Sequence, residues 1–177
     1  MCNGRIMIAG TNSGCGKTTV VCGLLKCLLN RKMNIHAFKC GPDYIDTSFH
    51  KKVLKIPAGN LDSWFCKPED LRKIVSKKAY KCDIAVIEGV MGYYDGMGFT
   101  QRASAYEIAD ITSTPVILII NCKGMSSSLE AVLSGFVNMK QNSHIKGVIF
   151  NRLSEKLYRY AKECALKPVS YTHLRAH

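Results

Sequence analysis

Apolar residues follow two rhythms along this chain, and the two alternate. Short continuous runs occupy residues 5–9, 33–39, 82–88, 115–121 and 145–151, each of strand length. Their continuity is that of strands covered on both faces. Between them, apolar positions recur every three or four residues. Val20, Val21, Leu24, Leu25, Leu28 and Leu29 form one such stripe, and Leu71, Ile74 and Val75 form another behind Pro68. Leu129, Val132, Leu133, Phe136 and Val137 mark a third. Leu153, Leu157, Tyr160, Ala161 and Cys164 mark the last. Helical spacing of this kind predicts amphipathic helices, with a further helix over 104–111. Strand and helix in strict alternation predict an α/β fold, a doubly wound and mostly parallel sheet. Three stretches depart from both rhythms. Residues 40–50 read as a loop opened by Gly41-Pro42-Asp43, residues 51–62 as irregular chain, and residues 89–98, with four glycines, as a mobile loop.

The junction of the first strand and first helix carries the chemistry. It reads Ala9-Gly10-Thr11-Asn12-Ser13-Gly14-Cys15-Gly16-Lys17-Thr18-Thr19. Gly10, Gly14 and Gly16 let the backbone close around an oxyanion. Backbone N–H groups from Thr11 to Thr19, with the helix N-terminus behind them, suit phosphate. Lys17 can reach the β- and γ-phosphates, and the Thr18 hydroxyl can ligate Mg²⁺. The standard pattern has a glycine where this chain has Thr11, Gly10 lying one position earlier. A glycine-rich turn could also serve only to cap a helix. Gly-Lys-Thr between a strand and a helix favours a nucleotide-phosphate site and a P-loop NTPase fold.

Composition narrows the setting. The 177 residues fit one domain, expected over 1–168. Residues 169–177 resemble a translated library adapter and are expected to be a non-native tail. No apolar run reaches the ~20 residues of a membrane span, and no leader precedes the first strand, so a cytoplasmic protein is expected. The nine cysteines are scattered without a C-x-x-C pair, which indicates neither a zinc site nor a disulfide framework. The charge of +12, from 25 basic and 13 acidic residues, suits a polyanionic partner. No arginine-rich stripe, base-stacking aromatic pattern or basic amphipathic helix accompanies it, which argues against nucleic acid and membrane.

Acidic residues stand where open α/β sheets place ligands, after the carboxyl ends of strands. Asp43 and Asp46 follow the second strand, and Glu88 ends the third apolar run, placed to face a nucleotide's metal.

Taken with the loop, these pieces resemble the cobyrinic acid a,c-diamide synthase family. The matching segments include Lys39 with Gly41-Pro42-Asp43-Tyr44-Ile45-Asp46, Gly59-Asn60-Leu61-Asp62-Ser63-Trp64 and Glu88-Gly89-Val90-Met91-Gly92-Tyr93-Tyr94-Asp95-Gly96. Thr114-Pro115-Val116-Ile117-Leu118, Lys123-Gly124-Met125-Ser126 and Gly147-Val148-Ile149-Phe150-Asn151-Arg152 follow in order. The resemblance implies a first domain similar to dethiobiotin synthetase. It also implies ATP- and Mg²⁺-dependent amidation of the a and c carboxylates of cobyrinic acid through acyl phosphates, on the route to cobalamin. Glutamine supplies the ammonia in that family through a C-terminal glutamine amidotransferase domain, expected to lie outside these residues. A homodimer is possible. By the same resemblance Lys17 and Lys39 meet phosphate charge, and Thr18, Asp43 and Glu88 hold Mg²⁺. Tyr44, Asp46 and Asp95 face the substrate, Asp46 and Asp95 as catalytic residues, and Asn151 contacts adenine. Two alternatives stay open. The substrate could be another tetrapyrrole, hydrogenobyrinic acid or nickel-sirohydrochlorin. The chain could instead be a switch-type P-loop ATPase, although such proteins carry a signature lysine where Asn12 stands.

Overall fold

The computed structural model describes residues 4–166, so the expected tail at 169–177 lies outside the described residues. Six strands form one sheet: β1 (Arg5–Gly10), β2 (Ile35–Cys40), β3 (Ala58–Leu61), β4 (Ile84–Glu88), β5 (Val116–Asn121) and β6 (Ile145–Asn151). Their order is β3-β2-β4-β1-β5-β6 and every pairing is parallel. All six carboxyl ends therefore share one edge.

Side-chain alternation explains why the strands read as continuous apolar runs. Met7 and Ala9 of β1, Ala85 and Ile87 of β4, and Val116, Leu118 and Ile120 of β5 enter one core. Helices α3 (Pro68–Ala79), α4 (Ala105–Thr112), α5 (Ser128–Asn138) and α6 (Tyr158–Leu166) contribute to that core through Leu71, Ile108, Leu133 and Ala161. Ile8, Val86 and Ile119 enter the opposite core with Val21, Leu25 and Leu28 of α1 (Lys17–Asn30). With both faces buried, the central strands are mostly apolar, and buried charge gathers near their carboxyl ends, at Lys39 of β2 and Glu88 of β4.

Two of the departing stretches are ordered elements. Residues 44–52 form α2 (Tyr44–Lys52) rather than a loop. Asp43 is its N-cap, accepting hydrogen bonds from the backbone N–H of Ile45 at 3.0 Å and Asp46 at 3.4 Å. Within 51–62, Ala58–Leu61 forms the edge strand β3, whose Gly and Asn carry little strand propensity and whose pairing to β2 decides the matter. The stretch 89–98 is pinned at its centre. Tyr93 is fully buried and donates to the Ser143 carbonyl at 2.7 Å, and Tyr94 donates to the Phe136 carbonyl at 2.8 Å. Of the cysteines, 15, 40, 82, 122 and 164 are buried as small apolar groups, whereas Cys27 is exposed. Among the described residues no helix is long and apolar enough to cross a membrane.

Candidate nucleotide and metal site

The glycine-rich loop leaves β1 in the middle of the sheet and turns into α1. Gly14 and Gly16 have φ of +74° and +103°, conformations that L side chains rarely adopt. A Cβ on Gly16 would collide with the Asn151 amide. That amide donates to the Cys15 carbonyl at 2.8 Å, so Asn151 at the end of β6 supports the loop from behind. Unlike α2 and α4, whose first turns are capped by the Asp43 and Ser104 side chains, α1 starts at Gly16 without a side-chain cap and without an acid in its first turn. Its first N–H groups and partial positive charge are left to an anion.

Lys17 is buried beside the loop. Its Nζ donates to the carbonyls of Asn12 at 3.0 Å and Met91 at 2.6 Å. Burial chiefly pulls this ammonium below its ordinary range. The segment carrying Met91 packs on the loop backbone, Tyr93 N–H donating to the Gly10 carbonyl at 2.8 Å. Cys15 is buried, as befits a thiol packed under the loop.

Beside the loop lies a charged cluster that the strand ends assemble. Lys39 Nζ is 2.6 Å from Asp46, 2.9 Å from Glu88 and 3.8 Å from Asp43. Thr18 donates its hydroxyl to the same Glu88 oxygen, Oε1, at 2.6 Å. Burial opposes charge on Lys39, but Glu88 and the Asp46 hydrogen bond outweigh it and hold the ammonium above its usual range. Burial likewise pushes the Glu88 carboxyl up; the facing His50 imidazole, the Lys39 charge and the Thr18 hydroxyl outweigh it and hold Glu88 below the ordinary range. Both groups are therefore charged at neutral pH. The second Glu88 oxygen is buried without a hydrogen-bond partner.

Thr18, Asp46, Glu88 and Lys39 thus meet, with Asp43 at their edge. Among the described residues no group of three or more His, Cys, Asp or Glu is spaced to hold a metal ion alone. Hydroxyl and carboxylate oxygens beside a phosphate loop nevertheless suit Mg²⁺, which takes one or two carboxylates and completes its shell with phosphate and water. Glu88 Oε1, which already meets the Thr18 hydroxyl, is the carboxylate oxygen nearest such a cation. Asp95 is exposed, its carboxylate accepting from the Gly92 N–H at 3.0 Å, and Tyr44 is 73% exposed on α2. Thr11, Ser13 and Thr19 lie on the loop and first helical turn as expected. Asn60, which sequence reasoning missed, donates to the carbonyls of Gly41 and Asp43 at 2.8 Å each and fixes the start of α2. His50, also missed, lies directly behind Glu88.

A parallel sheet whose central strand feeds an uncapped helix through a glycine-rich Gly-Lys-Thr loop defines a P-loop nucleotide-binding protein. The chain belongs to the CobQ/CobB/MinD/ParA nucleotide binding domain family, whose model matches residues 6–166. Cobyrinate a,c-diamide synthase of Priestia megaterium is 40% identical over 178 residues, covering 97% of this chain and 39% of the relative. The Salmonella typhimurium protein of the same name is 40% identical over 172 residues, covering 93% of this chain and 38% of the relative. The chain thus spans well under half the length of these relatives. The septum site-determining protein MinD of Pyrococcus horikoshii, solved with Mg-ADP, superposes with a TM-score of 0.56 at 21% identity, over 91% of this chain and 76% of that one. Hydrogenase maturation factor HypB of Archaeoglobus fulgidus gives 0.57 at 15% identity, over 91% of this chain and 70% of that one. These two establish the fold.

Proposed function

We propose that this chain is the ATP-dependent synthetase part of a cobyrinate a,c-diamide synthase, activating the a and c carboxylates of cobyrinate for attack by ammonia. The observation that carries the reading is the cluster of Lys39, Asp46, Thr18 and Glu88 beside an uncapped phosphate loop. It rests also on 40% identity to cobyrinate a,c-diamide synthases along nearly the whole chain. Residues 1–168 form the synthetase domain on this reading. A glutaminase domain belongs to the same protein, as the greater length of the relatives suggests.

A carboxylate resists ammonia until one of its oxygens becomes a leaving group. Mg-ATP, when bound, supplies the phosphoryl group that makes it one. The chain's residues position and neutralise. Backbone N–H groups from Thr11 to Thr19 and the Lys17 ammonium hold the phosphates. Thr18 and Glu88, with Asp43 at the rim, offer oxygens to the cation. Lys39 spreads positive charge between Glu88 and the incoming carboxylate. Tyr44, Asp46 and Asp95 face the macrocycle, and Asn151 contacts adenine through the amide oxygen not engaged with Cys15. The test is ADP formation with ammonium and a panel of tetrapyrrole polycarboxylates: cobyrinate, hydrogenobyrinate and nickel-sirohydrochlorin. Turnover above background only with cobyrinate supports the reading, and a preference for either rival corrects the substrate.

A further inference from the structure

His50 is 1% exposed on the inner face of α2, and neither ring nitrogen has a hydrogen-bond partner. Glu88 is fully buried, and its Oε2 also lacks a partner. These unsatisfied groups face one another, with His50 Nε2 3.8 Å from Glu88 Oε2. Leaving a buried polar group unpaired is costly, and doubly so for an ionised one. Closing that 3.8 Å gap to a hydrogen bond would satisfy His50 Nε2 and Glu88 Oε2 together, leaving His50 Nδ1 as the one atom of the three without a partner.

The two oxygens of Glu88 are differently engaged. Oε1 faces the phosphate loop, accepting from Thr18 at 2.6 Å and Lys39 at 2.9 Å. Oε2 faces away, toward His50. A carboxylate anchored only through Oε1 would have to surrender those bonds to offer that oxygen to a cation, and would then be free to rotate. An anchor on Oε2 removes the difficulty. We infer that His50 is a positioning residue whose Nε2–H holds Glu88 Oε2, so that Oε1 is presented to the cation beside the phosphate loop. This rests on the nucleotide and metal reading of the site given above. Metal-binding side chains depend on just such outer partners for their orientation.

The position of His50 fits the role. The N-cap at Asp43 starts α2 so that Asp46 and His50, four residues apart, share one helix face. Asp46 meets Lys39 from the front of the cluster, while His50 closes it from behind. The Ile56 N–H donates to the His50 carbonyl at 3.0 Å, which ties this end of α2 to the chain leading into β3.

Binding of a β,γ-imido ATP analogue to the 177-residue chain, titrated calorimetrically with and without Mg²⁺, tests the inference. In the wild-type chain Mg²⁺ should strengthen binding. His50→Leu, which removes the donor but keeps an apolar filling, should reduce that Mg²⁺-dependent gain by about tenfold while leaving Mg²⁺-free binding in place. His50→Gln, which restores a neutral N–H, should recover most of it; a purely structural role would instead favour Leu. Equal Mg²⁺ dependence in wild type and His50→Leu would overturn the inference alone. Mg²⁺ independence in the wild type would overturn the site reading with it. A measurement on the unaltered chain stands apart from the folding of any variant. The imidazole ¹⁵N spectrum should place the His50 proton on Nε2, and an unprotonated Nε2 would contradict the anchor.

Discussion

The Lys17 ammonium donates to the main-chain oxygen of Met91 at 2.6 Å, joining the phosphate loop to the segment after β4. A phosphate arriving in the loop offers the same ammonium a charged acceptor, a stronger partner than a neutral carbonyl. Nucleotide binding is therefore expected to draw Lys17 away from Met91. Amide hydrogen exchange across 89–96 should change on adding nucleotide. Lys17→Ala should weaken nucleotide binding by about a hundredfold and abolish that change. Unaltered exchange in a nucleotide-saturated wild-type chain would show that the two segments are not linked.

Glu88 and Lys39 answer differently to substitution. Glu88→Gln keeps the shape and can still accept from Thr18, so nucleotide binding should persist. Without the carboxylate charge, phosphoryl transfer should fall by at least about a hundredfold. Wild-type turnover in Glu88→Gln would remove Glu88 from the site. Lys39→Met leaves Glu88 buried beside Asp46 with its main counter-charge gone. It should cost about 3–5 kcal/mol in urea denaturation.

His36 gives the fold a pH dependence of its own. It sits within β2 against Phe38, ring centroids 4.6 Å apart. Burial, aided by the Lys78 and Lys51 charges, pulls its imidazole from 6.5 down to about 4. Between those values the unfolded chain takes up a proton that the native state refuses. The stabilisation is fully present above pH 6.5 and is lost as pH falls toward 4, by up to about 3 kcal/mol. Urea midpoints should drop over that window in the wild type and drop less in His36→Leu.

Tyr93 ties the segment after β4 to the turn before β6 through its hydroxyl on Ser143. Tyr93→Phe removes this bond and leaves a buried carbonyl unpaired. A loss of about 1–2 kcal/mol in denaturant unfolding is expected. No loss at all would mean that the carbonyl finds another donor.

Some of this was legible in the sequence and some was not, for physical reasons. Residues 10–18 are contiguous, so the loop declares itself in a single reading. β6 is legible to its last residue because its apolar run is bounded by polar chain at both ends. β3 was not, since Ala-Gly-Asn-Leu carries no pattern and exists by pairing with β2. α2 was hidden because Gly41-Pro42-Asp43 marks a turn and a helix cap equally well. Missing that helix concealed His50, since only helical spacing places it on the face of Asp46. The ion cluster likewise spans residues 39, 43, 46 and 88, and no window of sequence brings them together. Tyr93 and Tyr94 lay among four glycines that suggested mobility, yet their rings are anchored in the core.

On the proposed function, this site turns a substrate carboxylate into a leaving group at the expense of ATP. In that reaction, attack of a carboxylate oxygen on the γ-phosphorus would expel ADP. Ammonia would then add at the acyl carbon, and phosphate would depart with that same oxygen. Cobyrinate labelled with ¹⁸O in its carboxylates, incubated with the chain, ATP, Mg²⁺ and ammonium, should therefore give inorganic phosphate carrying one ¹⁸O for every amide formed. Unlabelled phosphate accompanying amide formation, or ATP turnover indifferent to the carboxylate, would contradict the account.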